Sequence, residues 1–191
     1  MRIHNFFRKG MMLLLACCVF GVLTDGNSEQ KHQSPLEEAE GYYWYEALFP
    51  DQEVIEKTFS TVSDNYPKYE FVPDVFHITA QYKPDPKHEE LYGKPVKIHI
   101  IGYANGSVQD REENITSENE GLLVEVSSTD EGMQALIDSC DRTWHITGSY
   151  SVAAKYTGQL DFSDYTPVGI TIEGVFGLVD SNGKVVLGKQ D

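Results

Sequence analysis

The chain has 191 residues, enough for one domain and a leader, with 30 acidic against 15 basic side chains and a net charge of −15. That balance argues against tight binding of long nucleic acid, which rests on Lys and Arg contacts to phosphates, but leaves room for a mononucleotide or short oligonucleotide in a local pocket. Of three cysteines, Cys17 and Cys18 fall in the leader and only Cys140 beyond it, which excludes an internal disulfide after cleavage.

Arg2, Arg8 and Lys9 precede an apolar run of 13 residues, Met11 to Leu23, broken only by Gly21, and small residues follow at Thr24-Asp25-Gly26. The run suits a signal peptide over residues 1–26 and is short for a membrane span. The expected location is therefore secreted or extracellular. Leu14-Leu15-Ala16-Cys17 offers the alternative of a lipid anchor at Cys17. Removing the leader leaves 12 bases against 29 acids, a net charge of −17. Residues 27–38 are polar and turn-rich and read as a disordered linker, so the domain spans residues 39–191.

Gly41 to Phe49 is aromatic and strand-like and ends at Pro50. Asp51 is placed to cap a helix carrying Val54, Ile55, Phe59 and Val62, which Pro67 or at the latest Pro73 stops. Val75-Phe76-His77-Ile78-Thr79 is a strand, closed by Lys83-Pro84-Asp85-Pro86. Val96 to Tyr103 alternates as a strand, Gln109 to Glu120 is polar and reads as a loop, and Gly121 to Val126 is the next strand. Ser128 is expected to cap a helix carrying Met133, Leu136 and Ile137, with Asp130 and Glu131 in its first turn. The strand Thr143-Trp144-His145-Ile146-Thr147 follows. Val168 to Val179 is then a long apolar strand, and the turn Ser181-Asn182-Gly183-Lys184 leads into a last strand, Val185 to Leu187. The succession predicts an α+β domain built of two similar halves.

The duplication is plainest in His77-Ile78-Thr79 and His145-Ile146-Thr147, 68 residues apart, each with a tyrosine three residues after its threonine, Tyr82 and Tyr150. In a strand, residues i and i+2 share a face, so each His lies beside its own Thr. Two such strands brought together present two imidazoles and two hydroxyls on one face. Near neutral pH one imidazole can accept a proton and the other donate one, while hydroxyls hold the non-bridging oxygens of a phosphate. Tyr82 and Tyr150 are read as rim or core aromatics, with base stacking as the functional alternative. The other histidines carry less. His4 and His32 lie outside the domain, His88 falls in a charged loop, and His99 alternates with Ile98 and Ile100. No cluster has metal-ligand spacing and no cofactor is expected. The sequons Asn105-Gly106-Ser107 and Asn114-Ile115-Thr116 matter only in a eukaryotic host.

Paired His-x-Thr motifs resemble those of the two-histidine (2H) phosphoesterases, most of all the 2',3'-cyclic-nucleotide phosphodiesterase branch. The resemblance runs from Gly41 to Gly188. It is carried by Phe76-His77-Ile78-Thr79-Ala80-Gln81-Tyr82, Gly121 to Val126, Trp144-His145-Ile146-Thr147-Gly148, Tyr156 to Leu160 and Gly174 to Gly177. It implies a two-lobed fold, two related antiparallel sheets flanked by helices around a central cleft. It further implies metal-independent hydrolysis of a cyclic phosphate on a nucleotide or short RNA end to a phosphomonoester. His77, Thr79, His145 and Thr147 would be catalytic, with His145 as base and His77 as acid, in a monomer. The alternatives are a 2',5'-phosphodiesterase, another cyclic-nucleotide phosphodiesterase, or a secreted nucleotide-binding module without catalysis. The small residues Ala80 and Gly148 depart from the apolar residue that often follows the family's threonine.

Overall fold

Pro50 and Asp51 set the first boundary. Proline closes strand β1 (Tyr45–Pro50), and the Asp51 carboxylate accepts the backbone N–H of Val54 at 3.1 Å, capping helix α1 (Gln52–Val62). The computed structural model describes residues 45–188 except Pro86 and residues 111–114, 152–156 and 158. All of these belong to the compact unit Ser34–Asp191. The leader, the linker and Asn114 lie outside the described residues.

After α1 come β2 (Ile78–Tyr82), a short 3-10 turn (Glu89–Leu91), β3 (Pro95–Asp110), β4 (Ile115–Ser127), α2 (Glu131–Ser139), β5 (His145–Tyr150), β6 (Thr166–Val179) and β7 (Val185–Val186). The fold is α+β, seven antiparallel strands in one sheet with two α-helices, in the order the sequence predicts. Three local expectations fail. The strand read from Val75 begins only at Ile78, so His77 stands just ahead of it, and the one read from Thr143 begins at His145. Gln109 to Glu120 is not a loop, because β3 and β4 stay paired out to Asp110↔Ile115. Beyond the main core this hairpin needs few apolar side chains; Val108 packs with Leu160, Ile115 and Phe162 in a small cluster of its own. The cap of α2 is Asp130 rather than Ser128, since Asp130 Oδ1 accepts the Met133 N–H at 3.0 Å. Ser128 instead accepts the Asp130 N–H and donates to the Pro95 carbonyl.

The sheet order is β2-β1-β6-β3-β4-β5, with β7 also on β6. It reads symmetrically outward from the β6–β3 junction. On each side comes a plain strand (β1 or β4) and then a His-Ile-Thr strand (β2 or β5), with a helix in the connection. Where the sequence leads to two sheets there is one, because β6 pairs with both β1 and β3.

Both helices lie on the same face of the sheet. Ile55 and Phe59 of α1 and Met133 and Ile137 of α2 join one core with Leu48, Ile78, Ile98, Leu122, Ile146 and Phe176, one residue from each of β1 to β6. The outermost strands β2 and β5, at opposite ends of the sheet order, contact each other across a seam. Among the described residues no helix is long and apolar enough to cross a membrane.

Candidate functional site at the seam

Cross-strand partners share a face, so register decides what points away from the helices. On β1 and β2, Ala47 opposes Thr79 and Tyr45 opposes Tyr82; two residues on β1 face three on β2. On β4 and β5, Gly121 opposes Thr147 and Asn119 opposes Tyr150, again two against three. Each His-Ile-Thr strand therefore carries the same one-residue bulge immediately after its threonine. The bulge returns Tyr82 to the face of Thr79, and Tyr150 to the face of Thr147. Strict alternation would have turned both tyrosines to the other side.

The two histidines are held alike. His77 Nδ1 lies 2.9 Å from the Val75 carbonyl, and His145 Nδ1 lies 2.9 Å from the Thr143 carbonyl. A carbonyl only accepts, so each Nδ1 carries the proton and each neutral ring presents a bare Nε2. Both rings are enclosed by protein yet keep some solvent-accessible surface, as rings in a groove do. Burial pulls both pKa values below the ordinary imidazole value, opposed in each by the backbone hydrogen bond. The proximity of His145 lowers His77 further, and the Arg142 guanidinium lowers His145. The contact between β2 and β5 brings the two motifs together.

The seam is pinned at both ends. At one end Phe71 and Tyr150 exchange two backbone hydrogen bonds, of 3.0 and 2.9 Å. At the other, Arg142 Nη1 donates to the Thr79 carbonyl at 3.1 Å and the Cys140 thiol reaches the Ala80 carbonyl at 3.8 Å. His77 and His145 lie in sequence between these closures. The Tyr45 ring packs on His77 at 4.9 Å and against Tyr82 at 5.9 Å, and Phe162 stands 6.4 Å from His145. Thr79 and Thr147 are partly exposed, and their hydroxyls hydrogen-bond no described residue.

The sequence-predicted residues fall as follows. Thr79, His145 and Thr147 lie on one face of the sheet, and His77, one residue ahead of β2, packs on the Tyr45 ring of that face. Tyr82 is 55% exposed beside them, whereas Tyr150 is 3% exposed, covered by the Phe71 ring at 5.7 Å. Tyr82 is open to a ligand and Tyr150 is packed away. His88 binds the Glu46 carboxylate, and His99 meets the Thr171 hydroxyl. Cys140 is a free thiol whose pKa burial raises. Among the described residues no group of three or more His, Cys, Asp or Glu is arranged to hold a metal ion.

Sequence reasoning missed Arg142, Tyr45, Phe162 and a pair of buried acids. Glu46 and Glu120 occupy equivalent places, each opposite a bulge, on the helix-bearing face, and each is fully buried. Glu46 accepts from the His88 N–H at 2.7 Å and from the Tyr92 hydroxyl at 2.9 Å, with His88 Nδ1 2.8 Å from its other oxygen. Glu120 accepts from the Tyr103 hydroxyl at 2.9 Å, the Lys68 N–H at 3.2 Å and the Ser149 hydroxyl. Such donors offset the cost of burying a carboxylate and tie each bulge to a loop behind it. The repeated Glu46-Ala47-Leu48 and Glu120-Gly121-Leu122 is the signal that could have found the pair.

No family model matches the chain, and no significant match is found among curated proteins or solved structures.

Proposed function

We propose that the seam is an active site that hydrolyses 2',3'-cyclic phosphates on nucleotides or short RNA ends, by paired-histidine acid–base chemistry. One observation carries the reading. Two imidazoles from duplicated motifs have the same Nδ1 bond to the carbonyl two residues back, and so offer two bare Nε2 atoms within one pinned stretch of seam. The symmetrical halves are read as the two lobes of a 2H phosphoesterase, joined here within a continuous sheet.

In this reading Nε2 of neutral His145 takes a proton from water as the water oxygen attacks phosphorus. The bond from phosphorus to one ribose oxygen breaks, and that oxygen takes the proton from Nε2 of protonated His77. Two features support this division of roles. The Arg142 charge disfavours a cation on His145, and the Tyr45 ring, tilted against His77 at 4.9 Å, can stabilise an imidazolium there. Thr79 and Thr147 hold the non-bridging oxygens, and the exposed Tyr82 offers a face to the base. The test is incubation of the mature protein with 2',3'-cyclic AMP in EDTA, from pH 5 to 8, watching for 2'-AMP or 3'-AMP. No turnover overturns the proposal. Turnover only of 2',5'-linked dinucleotides moves it to that substrate, and tight calorimetric binding without product leaves a nucleotide-binding module.

A pH dependence follows from the lowered imidazole pKa values. The reactive form has one ring neutral and one protonated, and with both pKa values under about 6.5 that form grows as pH falls from 8. We expect kcat/KM to rise on acidification and reach its maximum below about pH 6.5. A bound phosphate anion stabilises the imidazolium, so the kcat profile should lie at higher pH than the kcat/KM profile. Stability changes in the opposite sense. Below about pH 6.5 the unfolded chain takes up protons that the folded rings resist, so the melting temperature should fall with pH, less steeply in His77→Ala. A kcat/KM that climbs steadily from pH 6 to 8 contradicts both the pKa assignments and the mechanism.

A further inference from the structure

We propose that Arg142 is a functional residue of the seam, its guanidinium held on the Thr79 carbonyl between the two motifs to engage the single negative charge of a phosphodiester. The inference rests on the reading above and adds the group that would select the substrate's charge.

Arg142 lies three residues before His145, and its Nη1 donates to the backbone carbonyl of Thr79, the threonine of the other motif. The side chain thereby spans from one His-x-Thr strand to the other. A carbonyl aligns a guanidinium but does not neutralise it. Arg142 makes no ion pair with any described residue, in a chain where acids outnumber bases two to one. A guanidinium has five N–H donors in a planar fork, and one direct contact leaves most of them for a ligand. The side chain is exposed at the mouth of the seam, so a ligand reaches it without rearrangement. Its anchor on Thr79 and its place three residues before His145 keep the charge close to both motifs.

One positive charge matches a cyclic phosphodiester, a monoanion. Hydrolysis yields a phosphomonoester approaching a dianion, which the net negative charge of the chain repels more strongly than it repels the monoanion.

The test compares the parent with Arg142→Ala, Arg142→Lys and Arg142→Gln on 2',3'-cyclic AMP, with thermal melting run beside each. Arg142→Ala and Arg142→Gln should lose at least tenfold in kcat/KM at an unchanged fold, with Arg142→Lys between them and the parent. Added guanidinium ion, well below denaturing concentration, should restore part of the Arg142→Ala rate, which loss of a purely structural tie would not allow. Added 2'-AMP should inhibit the parent only weakly. An active parent with Arg142→Gln at full kcat/KM, or an Arg142→Ala defect that guanidinium leaves untouched, overturns the role of Arg142 and leaves the histidine mechanism standing. An inactive parent overturns both.

Discussion

Alanine at His77 or at His145 is expected to lower kcat for 2',3'-cyclic AMP by about 10²- to 10⁴-fold, the usual share of one positioned acid or base. The argument runs from the bonds each ring makes. His145 Nε2 is the group proposed to receive the water proton, and with His77 committed as the acid neither Thr147, a hydroxyl, nor Arg142, charged at any working pH, can replace it. His77 supplies the proton without which the departing ribose oxygen leaves as an alkoxide. The two act in one concerted passage, so the double variant should be little worse than the slower single variant, instead of showing the product of both defects. Folding should survive, because each ring is partly exposed and its removal also relieves an imidazole whose protonation burial opposes. His99→Ala is the control, since that ring is engaged with Thr171 rather than with either motif. Equal loss in His99→Ala, or multiplicative loss in the double variant, would speak against a shared reaction centre.

The order of elements was legible because each strand and helix has its own apolar period, and the duplication because His-x-Thr recurs with a tyrosine at constant offset. What stayed hidden was register. Nothing in Thr79-Ala80-Gln81-Tyr82 announces that the tyrosine shares the threonine's face, for an extra residue in a strand is invisible to a period-two reading. The small residues there, seen from the sequence as departures from a family pattern, have a local physical reason. A Cβ on Gly148 would lie 2.5 Å from Phe59 Cε1 and 2.9 Å from Glu120 Cγ, so the second bulge fits only without a side chain. The polar neighbours of Glu120 suggest the end of a loop, yet its carboxylate is buried against Tyr103 and Ser149 from other strands. Arg142 and Phe162 belong to the site through closure of the seam, a tertiary event that local sequence does not encode.

Phe59→Ala should be the most damaging substitution to stability, about 3–5 kcal/mol by denaturant titration, a large share of the 5–15 kcal/mol that holds an ordinary domain together. Phe59 is fully buried on α1, stacked on Tyr66 at 5.1 Å, with Phe76 at 5.8 Å and Tyr103 edge-on at 6.4 Å. Its ring also lies directly beneath Gly148. Phe76 precedes His77 and Gly148 follows Thr147, so this one side chain fills the space behind both motifs. Truncation removes the transfer energy of the ring and leaves a cavity that the pinned seam resists closing. Phe59→Leu keeps much of the volume and should cost about 1–2 kcal/mol, leaving a folded protein at low temperature. In that variant the motif strands lose their rigid spacer, and a drop in kcat larger than any change in KM is expected, because separation of the two imidazoles affects the transfer step before it affects capture of the anion. A Phe59→Ala cost below about 1 kcal/mol would mean that the core between α1 and the seam is not packed as described. An unaltered kcat in Phe59→Leu would mean that the two motifs are aligned by the backbone closures alone.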